Sequence, residues 1–324
     1  MNSMSLKPGH AEEFSRSWTH SFALSREDLW STPCLHLLPP SCKVIVLDST
    51  LPIKKALAAL IQNGVQSAPI WDSSSQTFNG MLTVTDFIHL IISFYDKKKS
   101  LISAIEEIDL LQVSSLKDSE VAEGLVRSSN VVAHPLQSIY EAARLLLDNQ
   151  LHRLPLVDKH NGSEIIVSVL TQYKILKFVS SHLVNIDRLS MSIRETGIGT
   201  YDNVATATPE TPIIDIIKIF IDKKVSAVPI VDNDGKVLDV YEKYDVLMLA
   251  RDSEHFNVDM PVSESLSKRS PDFEGIHICT PSDTLGRLLE TIRRTVVHRF
   301  VITENNRLHG VLSLSDILRY IMFV

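Results

Sequence analysis

A short pattern recurs four times along this chain, and that recurrence limits the folds open to it more than any other feature. It reads Gln66-Ser-Ala-Pro-Ile-Trp-Asp72, His152-Arg-Leu-Pro-Leu-Val-Asp158, Ser226-Ala-Val-Pro-Ile-Val-Asp232 and His298-Arg-Phe-Val-Ile-Thr-Glu304. The steps from 66 to 152, 152 to 226 and 226 to 298 are 86, 74 and 72 residues. A second element follows each copy: Leu82-Thr-Val-Thr-Asp-Phe87, Leu170-Thr-Gln-Tyr-Lys-Ile175, Tyr241-Glu-Lys-Tyr-Asp-Val246 and Leu312-Ser-Leu-Ser-Asp-Ile317. Two elements recurring together four times at nearly constant separation exceed what composition produces.

Each copy has the same layout. A short strand (Val44 to Leu47, Val131 to Ala133, Ala205 to Ala207, Ile276 to Cys279) leads to a helix with apolar residues three and four apart, such as Ile213, Ile216, Ile217 and Phe220. Start signals stand at Ser49, Thr50 and Pro52, at Thr211 and Pro212, and at Ser282 and Asp283. The middle strand (Ala68 to Trp71, Leu154 to Val157, Val228 to Val231, Phe300 to Ile302), a turn and a third strand follow. A second helix closes the unit: Phe87 to Ser93, Ile175 to Ser180, Val246 to Ala250, Ile317 to Met322. Such a unit is too small to bury its sheet and helices alone. The expected architecture is therefore an α/β (α+β) fold of four repeats packed as two pairs in a pseudo-symmetric disk. Residues 1–34 would be a tail or docking segment. Residues 35–183 would hold repeats at about 40–96 and 128–183, and residues 184–324 repeats at about 200–252 and 272–324. Lys97 to Ser129 and Asn185 to Thr200 would connect them, the first with helical character over Leu101 to Ile108 and Leu116 to Leu125.

Composition excludes several function classes. The net charge of -7 offers no global basic field for nucleic acid, so a polyanionic ligand needs a local basic cluster. Cys34, Cys42 and Cys279 are odd in number and without CxxC spacing, which suggests neither a disulfide framework nor a zinc site; no metal is called for, and a reducing intracellular compartment fits. Apolar runs such as Phe87 to Phe94 are far shorter than the roughly 20 residues a membrane helix needs. Met1 to about Ser25 lacks the basic start and apolar core of a secretory signal.

The Thr/Ser-x-x-Asp element opens a helix, where free N–H groups and the macrodipole favour an anion. Its hydroxyl can donate to a phosphate, and a first-turn carboxylate can accept both hydroxyls of a ribose. For one copy, helix capping alone would explain the Asp. Three copies, Asp86, Asp245 and Asp316, at equivalent positions beside His-Arg pairs favour a nucleotide. The pairs are His152-Arg153 and His298-Arg299, each starting a middle strand, so that a pseudo-symmetric assembly would bring them together around phosphates. A His beside phosphate would be partly charged near neutral pH; a salt-bridged or satisfied strand position is the plainer alternative. Arg269 is a further phosphate candidate.

Longer matches then make a resemblance specific. Ser67-Ala-Pro-Ile-Trp-Asp72, Gly80-Met-Leu-Thr-Val-Thr-Asp-Phe87, Leu170 to Phe178, Ile198-Gly-Thr-Tyr-Asp-Asn-Val204, Arg269-Ser-Pro-Asp-Phe-Glu-Gly275, Val297-His-Arg299 and Gly310 to Leu318 resemble the gamma subunit of AMP-activated protein kinase, including its fungal members. The repeat itself resembles the cystathionine beta-synthase (CBS) domain, whose pairs are called Bateman modules. The resemblance runs from about Leu37 to the C-terminus. It implies a non-catalytic regulatory subunit that binds AMP, ADP and ATP and senses energy state within a heterotrimer of the cytoplasm and nucleus. The partners implied are a catalytic alpha kinase subunit and a beta scaffold subunit, which would extend the edge strand Lys43 to Asp48. Neither nucleic acid nor membrane is implied.

Residue by residue, the resemblance implies one site at Asp86 lined by Met81, Leu82, Thr83, Val84 and Thr85. It implies a second at Asp245 with Glu242, and a third at Asp316 with Ser313, Leu314 and Ser315, where Thr200, Ala205, Val225 and Ser226 surround the nucleotide. His152, Arg153, His298, Arg299 and Arg269 match phosphate-contacting positions. Lys174 replaces the Asp in repeat two, and an ammonium cannot accept from ribose hydroxyls. Gln66, Tyr173 and Glu242 depart from the animal pattern by removing positive or adding negative charge, so the Asp316 site is expected to be the best preserved. A different four-repeat CBS regulator, an enzyme, and a scaffold with decayed sites are the alternatives. Against an enzyme, no Gly-x-Ser-x-Gly, P-loop or HExxH pattern is present.

Overall fold

The computed structural model describes residues 26–41, 43–96, 111–116, 131–160, 162–182, 187–250, 257–269, 273 and 275–323. The helices expected over Leu101 to Ile108 and beyond Leu116 lie outside these residues, as does the stretch 1–25. A short helix, α1 (Arg26–Ser31), precedes repeat one. Repeat one is β1 (Leu47–Asp48), α2 (Ile53–Gln62), β2 (Ser67–Asp72), β3 (Thr77–Thr83) and α3 (Val84–Asp96). Repeat two is α4 (Ile139–Asp148), β4 (Arg153–His160), β5 (Ser163–Thr171) and α5 (Gln172–His182). After α6 (Ile193–Thr196), repeat three is α7 (Ile213–Asp222), β6 (Ala227–Val231), β7 (Val237–Glu242) and α8 (Lys243–Ala250), followed by α9 (Val262–Ser267). Repeat four is β8 (Ile278–Cys279), α10 (Leu285–Arg294), β9 (Arg299–Glu304), β10 (Arg307–Ser313) and α11 (Leu314–Phe323).

Two boundaries differ from the sequence expectation. The first strand of each repeat is vestigial: β1 pairs with β2 and β8 with β9, each in parallel over two residues, and repeats two and three keep a single bridge each, Ala133 to Leu156 and Ala207 to Ile230. In repeat one the cause is visible, because Oδ1 of Asp48 accepts the Thr50 N–H at 2.9 Å and turns the chain out of the ladder. The second helices begin three residues earlier than their apolar periodicity indicates, because the second residue of the recurring element, Thr83, Thr171, Glu242 or Ser313, stands just before the helix.

The apolar faces form two cores. One joins repeats one and three, with Ile88 and Ile91 of α3 against Ile214 and Ile217 of α7 and Val246 and Leu247 of α8. The other joins repeats two and four, with Ile175, Leu176 and Val179 of α5 against Leu285, Leu289 and Ile292 of α10 and Ile317 of α11. Sheets make the remaining contacts. The Phe78 N–H of β3 donates to Glu164 of β5 at 2.8 Å, and bridges Thr200 to Val311 and Lys236 to Arg307 tie repeat three to repeat four. Each repeat thus has one helix neighbour and one sheet neighbour, the layout of a four-membered ring.

A feature with no periodicity in the sequence completes every repeat. The first helix of each leaves orphan N–H groups at its start, and a short antiparallel bridge satisfies one of them. Ile53 N–H donates to Leu111 O while Val113 N–H donates to Leu51 O; Ile213 and Val262 do the same with Met260 and Thr211, and Leu285 and Ile193 with Met191 and Asp283. For repeat two the partner is far upstream: Ile139 N–H donates to Thr32 O and Cys34 N–H to Gln137 O. Leu29 and Cys34 are fully buried in the core of repeats two and four. The described part of residues 1–34, from 26 onward, packs on repeat two.

Candidate functional site

The three aspartates occupy one local geometry. Each lies at the third position of a helix, and its Oδ2 accepts the N–H of the residue just before that helix: Thr83 for Asp86 at 2.6 Å, Glu242 for Asp245 at 2.7 Å, Ser313 for Asp316 at 2.9 Å. Capping is thus one role of all three carboxylates. Their surroundings then diverge. Asp86 is 6 % exposed and also accepts from the Thr83 hydroxyl at 3.0 Å. Asp245 has both oxygens taken by Arg269, whose Nη1 and Nη2 also donate to Asp239 and the Val240 carbonyl. Asp316 accepts from the Ser313 hydroxyl at 2.7 Å, but its Oδ1 takes no hydrogen bond among the described residues. It lines a cavity of about 850 Å³ between α4, α11 and the loop Gly197 to Gly199, which leads into Thr200.

The His-Arg pairs do converge. Arg153 and Arg299 begin β4 and β9, the positive charges of Arg153, Arg299 and Lys243 bear on His152, and those of Arg299 and Arg153 bear on His298. Burial, first, and these neighbouring cations push both imidazoles below their ordinary range. Both causes favour the neutral imidazole, and a neighbouring anion would act in the opposite direction. Arg153 is pushed down to about 10 by burial, and its Nη2 donates to the neutral Gln66 amide at 3.0 Å rather than to a carboxylate. Arg299 donates from Nη1 to Glu242 at 2.5 Å and from Nη2 to the Ser226 hydroxyl at 3.3 Å.

The remaining expected residues fall into distinct groups. Leu82, Val84 and Leu314 have buried side chains packed in the two cores, and the Val84 N–H donates to the Gln66 carbonyl at 3.1 Å. Met81 pairs with Pro69 across the β2–β3 ladder, Thr200 with Val311, and Ala205 and Val225 are half-buried. Thr85 accepts from Lys243 Nζ at 3.3 Å, and Ser315 donates to Gln172 at 2.9 Å. Arg269 stands apart from the His-Arg cluster, closed on Asp245 and stacked 4.2 Å from the Phe273 ring centre. Lys174 Nζ donates to the Val169 carbonyl at 2.8 Å, so repeat two presents an ammonium where the others present a carboxylate. Lys243 and Gln172 were missed in the sequence. Lys243 sits between two singled-out residues, Glu242 and Asp245, and Gln172, only 3 % exposed, also bonds to His152.

Comparison with known proteins agrees with this architecture. The CBS domain model matches residues 37–93, 121–181, 198–252 and 273–323. The 5'-AMP-activated protein kinase subunit gamma of Saccharomyces cerevisiae is 41% identical over 300 residues, 92% of each chain. The chain belongs to the gamma-subunit family of AMP-activated protein kinases. It is a regulatory subunit rather than a catalytic chain. The gamma subunit of Kluyveromyces lactis is also 41% identical, over 91% of this chain and 90% of its own. Human subunit gamma-3 is 37% identical over 88% of this gamma chain and 58% of its own length. In fold, a solved structure from Methanocaldococcus jannaschii superposes with a TM-score of 0.69 at 18% identity, covering 89% of this chain and 99% of that one. No helix among the described residues of this gamma chain is long and apolar enough to cross a membrane.

Proposed function

We propose that this gamma-family chain binds AMP, ADP and ATP, with the ribose on Asp316 and the phosphates on the cluster of His152, Arg153, His298, Arg299 and Lys243. The observation that carries this reading is Arg153, a desolvated guanidinium whose side chain has a neutral amide for a partner. A half-buried cation gives up hydration without gaining an anion, and a phosphate supplies one in forked geometry. The open Oδ1 of Asp316, its adjoining cavity, and the nearness of Thr200 support the ribose end. The Asp86 and Asp245 sites contribute less, because their carboxylates are enclosed.

The same reading assigns the chain to a heterotrimer with a catalytic alpha kinase subunit and a beta scaffold, in cytoplasm and nucleus, built of two modules over about 35–183 and 184–324. What supports strand addition by the beta subunit is that β1 pairs with β2 on one side and that Val46 is 40% exposed beside it. AMP and ATP then act by linkage: the nucleotide that prefers one arrangement of the trimer shifts its activity. Calorimetric titration of AMP, ADP and ATP into the full chain tests the binding reading, with Asp316→Asn as the control that should weaken it. Absence of heat from all three nucleotides would remove it. Recovery of a kinase chain with the tagged protein from lysate tests the assembly.

A further inference from the structure

Around the His-Arg cluster each arginine meets a different partner, and the difference is informative. Arg153 meets an amide, whereas Arg299 meets a carboxylate of its own chain, Glu242 at the end of β7. The Arg299 and Glu242 side chains are only 14% and 21% exposed, so their contact lies inside the site and not on its rim. Arg299 also bonds Ser226, and Glu242 bears electrostatically on His298. Glu242 therefore touches the phosphate-binding groups from the third repeat while Asp316 offers its free oxygen from the fourth.

We propose that Glu242 is a built-in stand-in for phosphate, which occupies Arg299 in the empty chain and has to yield to an incoming nucleotide. This rests on the nucleotide-binding reading and adds a selectivity to it. A carboxylate that stays within a few ångströms of the bound phosphates repels them in proportion to their charge. A triphosphate is repelled more than a monophosphate, so Glu242 biases the site toward AMP. The counter-charge in contact with it is Arg299 of β9, while Arg153 of β4 and Lys243 of α8 act on the histidines beside it and Asp245 adds a like charge. A site with this inner carboxylate holds fewer net positive charges than its arginines and lysine suggest, and its preference among nucleotides is set by one side chain.

The test titrates AMP, ATP and inorganic tripolyphosphate into the full chain and into its Glu242→Gln and Glu242→Ser variants, after thermal unfolding shows which variants are folded. The serine leaves room for water should the glutamine strain Arg299. The expected result is that ATP binds about tenfold tighter to the variant, equivalent to ~1.4 kcal/mol, and AMP gains about threefold or less. Tripolyphosphate, which has neither base nor ribose, should gain about as much as ATP. Equal gains for AMP and ATP, no gain, or a loss would overturn the proposal while leaving nucleotide binding in place. If no nucleotide binds wild-type chain or variant, the nucleotide reading falls. Tripolyphosphate then decides alone: a gain upholds Glu242 as an internal anion, and its absence removes that too.

Discussion

Arg269 grips both carboxylate oxygens of Asp245, with Nε donating to Oδ1 at 2.7 Å and Nη2 to Oδ2 at 2.5 Å. Both side chains are nearly enclosed, 11% and 12% exposed. Burial pushes the Asp245 carboxyl up, and Arg269 with the Glu242 N–H opposes that. Removing the arginine strands a buried charge, which costs roughly 3–5 kcal/mol in such pairs. Arg269→Ala is therefore expected to lower the urea midpoint markedly with an unchanged slope. A loss below about 1 kcal/mol would show that the pair is open in solution.

Asp316→Asn keeps an oxygen to cap α11 but removes the charge that would receive ribose hydroxyls. AMP affinity should fall at least about tenfold, ~1.4 kcal/mol, while thermal stability changes little. A large drop in melting temperature with unchanged affinity would mean that Asp316 is a cap and nothing more.

The two histidines of the cluster predict a pH dependence. Both lie below the ordinary imidazole range, pushed down by loss of hydration and by Arg153 and Arg299, with Lys243 adding to the effect on His152. A depressed group favours the native state above its unfolded value, and that contribution is lost as pH falls through the folded value. The empty chain should thus lose stability on acidification below about pH 6.5. A bound phosphate favours the protonated imidazoles, so AMP should bind tighter at pH 6 than at pH 8, with proton uptake visible as buffer-dependent heat. Heat independent of the buffer would count against it.

Gly310 packs against the site's own wall. A Cβ there would stand 2.7 Å from the Thr200 carbonyl oxygen and 2.9 Å from a Tyr201 ring carbon. Backbone cannot yield cheaply, so Gly310→Ala is expected to cost about 1–3 kcal/mol and to weaken AMP binding through Thr200. Chemical denaturation and titration on one sample would check both.

Much of the fold was legible because repetition multiplies a weak signal. One Thr-x-x-Asp is a cap, whereas three in register, with His-Arg pairs between them, outline a shared cleft. The first strands were over-read, since an apolar run of three or four residues reveals nothing about where a neighbouring turn cuts its ladder. The partners of the helix starts could not be read at all. Thr32 and Ile139 are joined by two backbone groups, and backbone pairing at that distance leaves no mark in side-chain pattern. The bond from Arg269 to Asp245 was not legible either, since spacing cannot tell which anion an arginine meets. Nothing in the sequence around Lys243 shows that its ammonium reaches Thr85 of repeat one.

The docking of residues 26–37 onto repeat two has a consequence for how the chain assembles. Cys34 and Ser138 touch across 104 positions of sequence. On a ribosome this segment emerges long before α4, and its apolar Leu29 and Trp30 have nowhere to settle until α4 has been made. Repeat one, in contrast, has its own bridging segment close behind it at Leu111 to Val113. The first repeat can close early, and the second waits for a loop of over one hundred residues to come together, a slow step of high contact order. Through that interval the leading helix remains an exposed apolar handle, the kind of surface that chaperones engage and that invites mispairing between nascent chains.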